Sequence, residues 1–377
     1  MKYIEEFRDQ NVARSLLLRI GQAANPNREY HLMEFCGGHT YALFRYGLTD
    51  LLPSNIKMVH GPGCPICVLP IGRLDGAIEL AKRQGVIFVT YGDVMRVPAS
   101  HGQSLLSARA QGADVRMVYS CADALTIAQQ NLEKEVIFFA VGFETTTPAS
   151  AVILLEAERL GLKNFSVYCN HLVTPAAISN ILESPEVRSL GVLRLDGFIG
   201  PAHVSAVIGS WPFEYFSYEY QKPVVIAGFE PLDMLQAIFM LLNQINERRA
   251  CVENQFTRVV TRKGNLQAQQ KVAEIFELRR TFEWRGLGKL QYSGLKIKEK
   301  YASYDAEIRF ALKLQEIPDP KNCECGAIVR GLKKPLDCKL YATVCTPDNP
   351  IGSCMVSPEG ACGAYYRFGP RAKGNSL

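Results

Sequence analysis

Two cysteines, Cys64 and Cys67, stand two residues apart in GPGCPIC, behind a Gly-Pro-Gly turn and ahead of a helical stretch. A CxxC at a helix start exposes at least one sulfur to the positive end of the helix dipole, which favours the thiolate. That logic serves a redox dithiol, a two-thiolate metal site or half of a zinc site. A buried pair in a tight turn is the inert alternative. Upstream, CGGHT sets Cys36 and His39 on one glycine turn. A thiolate and a neutral imidazole suit iron, copper or zinc, although a capping histidine beside a buried cysteine reads the same way. The chain has 12 cysteines, and six of them, Cys323, Cys325, Cys338, Cys345, Cys354 and Cys362, crowd its last stretch. Four soft thiolates converging on one point are what a [4Fe-4S] cluster or a structural zinc requires. Zinc knuckles usually bring paired CxxC units; here the close pair is CxC and the rest are single, which tilts the reading toward iron–sulfur. One consistent ligand set is Cys323, Cys338, Cys345 and Cys362, with Cys325 and Cys354 as alternates. Spacing alone does not choose among the six.

Two further groups fall in polar turns after apolar runs. Glu144 in GFETTTP is a proton relay or a ligand-orienting carboxylate, unless the segment is simply helix capping by Thr145–Thr147. His203 in GPAHV is a ligand-binding or a structural histidine. Cys121, Cys169 and Cys251 sit in ordinary contexts and read as packing residues.

The elements that must position these groups follow from periodicity. VIFVTYGD at 86–93 and VIFFAVGFETTTP at 136–148 are continuous apolar runs, as expected of strands covered on both faces. Apolar stretches ending in CGGHT and preceding GPGCPIC, together with VRMVYS, FSVYCNHLV, GFIGPAHV and PVVIAGFE, supply further strands. Residues 10–22, 71–81 and the stretches CADALTIAQQNL, ASAVILLEAERLG and DMLQAIFMLLNQINERR read as helices, as does 266–280. Strands alternating with helices imply βαβ units and parallel sheets. The pattern restarts near residue 130, which predicts a first α/β domain over 1–128, a second over 129–250 and a cysteine-rich third over 251–377. A faint echo, AVGFE at 140–144 and IAGFE at 226–230, accompanies the restart. In open parallel sheets ligands bind at the carboxyl ends of strands, where Cys36, His39, Cys64, Cys67, Asp93, Glu144, His171, His203 and Glu230 are expected to collect. The tail is poor in periodicity and rich in Cys, Gly and Pro; a metal cluster would organise it.

Composition bounds the rest. The 377 residues are 47% hydrophobic and 21% charged, with a formal net charge of +5. That is ample for a buried core without disulfide staples. With no basic run or aromatic–basic ladder, nucleic acid is not an expected partner. No apolar run, AIFMLL at 237–242 included, approaches the roughly 18 residues of a membrane span. The charged start MKYIEEFRDQ lacks a signal-peptide core, so a cytoplasmic location is expected. There, cysteines are kept for metals or catalysis more than for disulfide frameworks.

Taken in order, FCGGHT, GPGCPIC, GFETT, PAHV and TPDNPIGSCMVSPEGAC resemble the HypD family of [NiFe]-hydrogenase maturation proteins, along the whole chain. The resemblance implies two Rossmann-like α/β domains and a third domain carrying a [4Fe-4S] cluster. It implies a part in building the Fe(CN)2CO group, with a HypC-like chaperone sharing the iron and a HypE-like partner delivering cyanide from a cysteine-borne thiocyanate. Carried onto this sequence, the family's essential cysteines match Cys36, Cys64 and Cys67, with His39 beside them. On that reading Cys36 and a partner thiolate hold the iron. Cys64 and Cys67 cycle between dithiol and disulfide, the tail cluster recharges them, His39 and Glu144 orient ligands or move protons, and His203 is a cofactor-binding candidate. Two rival readings are a cluster-dependent thiol–disulfide oxidoreductase and a non-catalytic zinc scaffold.

Overall fold

The computed structural model describes residues 4–188, 191 and 193–369. Its strands, in chain order, are β1 (Tyr30–Glu34), β2 (Ile56–His60), β3 (Val86–Thr90), β4 (Asp114–Met117), β5 (Glu135–Gly142), β6 (Phe165–His171), β7 (Gly197–Pro201), β8 (Val224–Ala227) and β9 (Val252–Asn254). They form two wholly parallel sheets, ordered β2-β1-β7-β8-β9 and β4-β3-β5-β6. Every residue of β3, β6 and β7 is buried, the pattern of strands covered on both faces. The connecting helices carry their own signals. Pro70 precedes Ile71–Ala81, Ser120 and Asp123 close a capping box on Cys121–Gln130, and Pro148 opens Thr147–Arg159.

The parallel α/β architecture matches expectation, but the strands are shared out differently. The boundary expected at 128–129 falls between β4 and β5, which lie in the same sheet, while β1 and β2 share theirs with β7, β8 and β9. The second sheet is thus inserted between strands of the first. Similar strand–helix units carry no local mark of which sheet edge they join; long-range burial decides that. In the first sheet the direction of travel reverses between β1 and β7, and in the second between β3 and β5. Each reversal opens a crevice at the carboxyl ends of the strands.

After β9 the chain wraps the two sheets. The helix expected over 266–280 stops at Ile275, because buried Phe276 starts a short strand, Phe276–Leu278, antiparallel to Leu295–Ile297. A second hairpin pairs Thr281–Trp284 with Gly288–Gln291 and buries Trp284 fully against Phe143, ring centroids 5.8 Å apart. The cysteine-rich stretch consists of turns and short helices. Its last helix, Ala361–Phe368, packs on the helix Gly37–Arg45 through Tyr365 against Phe44 and Phe368 against Tyr41. No described helix is long and apolar enough to cross a membrane.

Candidate thiol and metal centre

Cys36 follows β1 as the N-cap of the helix Gly37–Arg45. The nearby backbone N–H groups of Gly38 and His39, the latter donating to the Cys36 carbonyl at 2.8 Å, favour the thiolate, but burial and the carboxyls of Glu359 and Glu34 outweigh them and push the thiol well above the ordinary cysteine range. A buried sulfur ringed by carboxyls keeps its proton until a cation arrives. Glu359 enters from the tail: a Cβ on Gly37 would lie 2.5 Å from the Glu359 Cβ. Burial raises the Glu359 carboxyl, and Asp93 after β3 and Glu34 at the end of β1 add repulsion. Groups from both sheets therefore act on one place.

The turn carrying Cys64 lies against the turn carrying Cys36. The Gly37 N–H donates to the Gly63 carbonyl at 2.9 Å, and the Gly61 N–H to the Glu34 carbonyl at 2.9 Å. Gly63 rides directly on the Cys36 backbone, its would-be Cβ 2.6 Å from the Cys36 Cα, so no larger residue fits there. Cys64 and Cys67 are joined as a disulfide with Cα atoms 5.3 Å apart. Both are buried in the same apolar cluster as Cys325, Cys338, Cys345, Cys354 and Cys362, with Cys323 packed at its margin. Ser353 donates to the Cys67 carbonyl at 2.6 Å and lies 3.8 Å from the Cys325 sulfur. At Gly360 a Cβ would sit 2.9 Å from the Cys67 sulfur.

The six tail cysteines line one pocket, closed by Ile328, Leu340, Tyr341 and Met355. The Cys354 and Cys362 sulfurs lie 3.1 Å apart. Cys323 is raised by its hydrogen bond with Cys325 and then by burial; Cys345 is raised by burial, with Cys323 and Cys338 adding repulsion. Among the described residues no three Cys, His, Asp or Glu side chains are spaced to hold a single metal ion. A cluster takes each thiolate through a different iron, so its ligands stand farther apart than those of one ion. A buried, apolar pocket lined by six soft sulfur donors fits such a group.

The remaining predicted residues divide. His39 is fully buried, its Nε2 lies 2.9 Å from the Ala227 carbonyl at the end of β8, and burial lowers its basicity. His203, exposed at the start of the helix after β7, lies 4.1 Å from the Phe229 ring, which is also 5.0 Å from the His39 ring. CGGHT and PAHV thus meet across the β1–β7 crevice. Glu144 is held instead by Thr174 after β6, whose N–H and hydroxyl donate to it at 2.8 and 2.7 Å; burial lifts its carboxyl to about 7.

A family model described as HypD, hydrogenase formation hypA family, matches residues 11–369. Hydrogenase maturation factors HypD of Cupriavidus necator and Azotobacter vinelandii are each 62% identical, over 98% of this chain and 97% of theirs. That of Escherichia coli is 42% identical over 98% of both chains. The chain belongs to the HypD family. For a HypD-family chain the site holds residues that motif reading missed: Glu34, His60 and Glu359. Glu34 and His60 each lie beside a motif already singled out, and Glu359 lies inside one. None announces itself, because a buried carboxyl in sequence looks like any surface carboxyl.

Proposed function

We propose that this chain is a hydrogenase maturation factor, a redox-active scaffold on which the Fe(CN)2CO group of a [NiFe]-hydrogenase is assembled with a HypC-like chaperone and a HypE-like cyanide donor. The observation that supports it most directly is the burial of Cys64 and Cys67 in one cluster with the tail cysteines, on a chain whose whole length is HypD-like. The iron cargo is the substrate. Cys36 takes it, releasing its proton as the cation arrives, with a thiolate from the chaperone as the second soft donor. The Gly38 and His39 N–H groups stabilise the resulting sulfur charge. Phe229, in ring contact with both His39 and His203, gives the crevice an apolar wall suited to diatomic ligands.

The dithiol form of Cys64 and Cys67 cleaves a thiocyanate carried by the donor. Two thiols and R–S–CN give the disulfide, R–SH and HCN, so the two electrons and two protons come from the pair itself. A [4Fe-4S] cluster held by four of Cys323, Cys325, Cys338, Cys345, Cys354 and Cys362 would supply a one-electron redox centre beside that pair. Anaerobic purification of the wild type and Cys338→Ala, with absorbance spectra and iron and sulfide counts, tests this. A brown protein with about four irons, bleached in the variant, is expected. A colourless protein holding zinc would overturn the redox reading and leave a structural tail.

A further inference from the structure

We propose that Glu34 is a positioning residue that locks the Cys36 turn to the Cys64/Cys67 turn, with His60 as its fixed partner. Three donors converge on its fully buried carboxyl group. The Cys36 N–H reaches Oε2 at 3.0 Å, while the Thr40 hydroxyl and His60 Nδ1, the latter at 2.8 Å, reach Oε1. Glu34 and His60 are register partners on β1 and β2. They are the last residues before the two turns, so one carboxyl group ties the backbone of Cys36 to the strand that delivers Gly61-Pro62-Gly63-Cys64. The Gly61 and Gly37 backbone hydrogen bonds continue the seam. His60 is itself held by Phe44, ring centroids 5.2 Å apart, and Phe44 by Tyr365 of the tail.

The Glu34 carboxyl group can accept from all three at once. An amide of the same shape would turn one oxygen into an N–H donor, facing either the Cys36 N–H or the Thr40 and His60 pair. Facing Cys36, that donor would leave the Cys36 N–H unpaired and pull its peptide out of line; facing Thr40 and His60, it would force both to accept and loosen the seam to β2. Since His60 continues into the CxxC turn, the disturbance would reach Cys64 and Cys67.

The inference rests on the proposed function for its purpose but not for its test, which reads protein thiols without iron or partners. The full chain and its Glu34→Gln, His60→Phe and His60→Asn variants are compared. Two readouts are taken: the rate of Cys36 alkylation by iodoacetamide, followed by peptide mass spectrometry, and the Cys64/Cys67 dithiol–disulfide equilibrium in glutathione buffers. Glu34→Gln and His60→Phe are expected to change the Cys36 rate about tenfold, the size of one lost charge-assisted hydrogen bond. They are also expected to shift the dithiol equilibrium about threefold or more. His60→Asn, whose amide N–H replaces Nδ1–H, should restore both. A changed Cys36 rate with an unmoved dithiol equilibrium overturns the link, as do two unmoved readouts. Failure of His60→Asn to rescue overturns the role of His60. Because iron assembly is not measured, a failed function reading leaves these outcomes as they are.

Discussion

At the scale of single residues, burial sets the chemistry more than local sequence does. Glu144 is the clearest case, because its carboxyl is lifted from 4.5 to about 7 by desolvation, against the stabilising hydrogen bonds from Thr174. Between those values the folded chain holds a proton that the unfolded chain has released. Stability therefore falls as pH rises through this window, and the loss is complete above it, roughly 3 kcal/mol at full development. Glu144→Gln removes the titration. Urea unfolding at pH 5 and pH 8 should show the variant gaining on the wild type at pH 8 while matching it at pH 5. Equal differences at both values would mean that Glu144 is not neutral in the folded chain. The motif GFETT was legible in sequence; which threonine holds the glutamate was not, since Thr174 lies 30 positions away on the turn after the neighbouring strand.

At the scale of elements, the helix Ile71–Ala81 after the CxxC is fixed at the N-terminal end of its buried face. Gly72 admits the Gln315 backbone, and Arg73, 6% exposed, reaches Asn170, the Cys169 carbonyl and Glu307. Glu307 also pairs with Arg279 at 2.5 Å. Burial alone would raise the Glu307 carboxyl, but Arg73 and Arg279 outweigh it and hold it below the usual range. Removing the shared carboxyl leaves a buried guanidinium uncompensated, so Glu307→Ala should cost about 3–5 kcal/mol. Thermal melting checks it, with Glu156→Ala, which cuts the exposed pair to Arg159, as a control that leaves the melt unchanged. A Glu307→Ala melt matching that control would show that the triad does not brace the helix. The helix itself was legible from apolar spacing. Its bracing was not, because Glu307 lies more than 200 positions away and short polar segments carry no periodicity.

At the scale of the molecule, the inserted second sheet makes the two lobes interdependent. A chain cut after residue 128 would part β3 and β4 from β5 and β6, and β1 and β2 from β7, β8 and β9. Such a 1–128 fragment is expected to show no cooperative thermal transition by circular dichroism. A cooperative, native-like melt would mean that the first four strands form a self-sufficient unit. The tail is no appendage either: Arg96 donates to the Val356 carbonyl at 3.1 Å, and Arg330 to Glu186 at 3.0 Å.

What the sequence determined by itself is local. The apolar runs dictate strands covered on both faces and the helical spacing dictates the helices between them, because each depends on neighbours a few residues apart; the clustered soft donors set only an expectation of metal or thiol chemistry. Tertiary structure alone decided that β7 returns to the side of β1, that Cys64 and Cys67 are buried with the tail cysteines, and that Glu34, His60 and Glu359 belong to the Cys36 site. Strand order and buried polar contacts are fixed by the burial of groups tens to hundreds of residues apart, and that energy leaves no periodic trace in the chain.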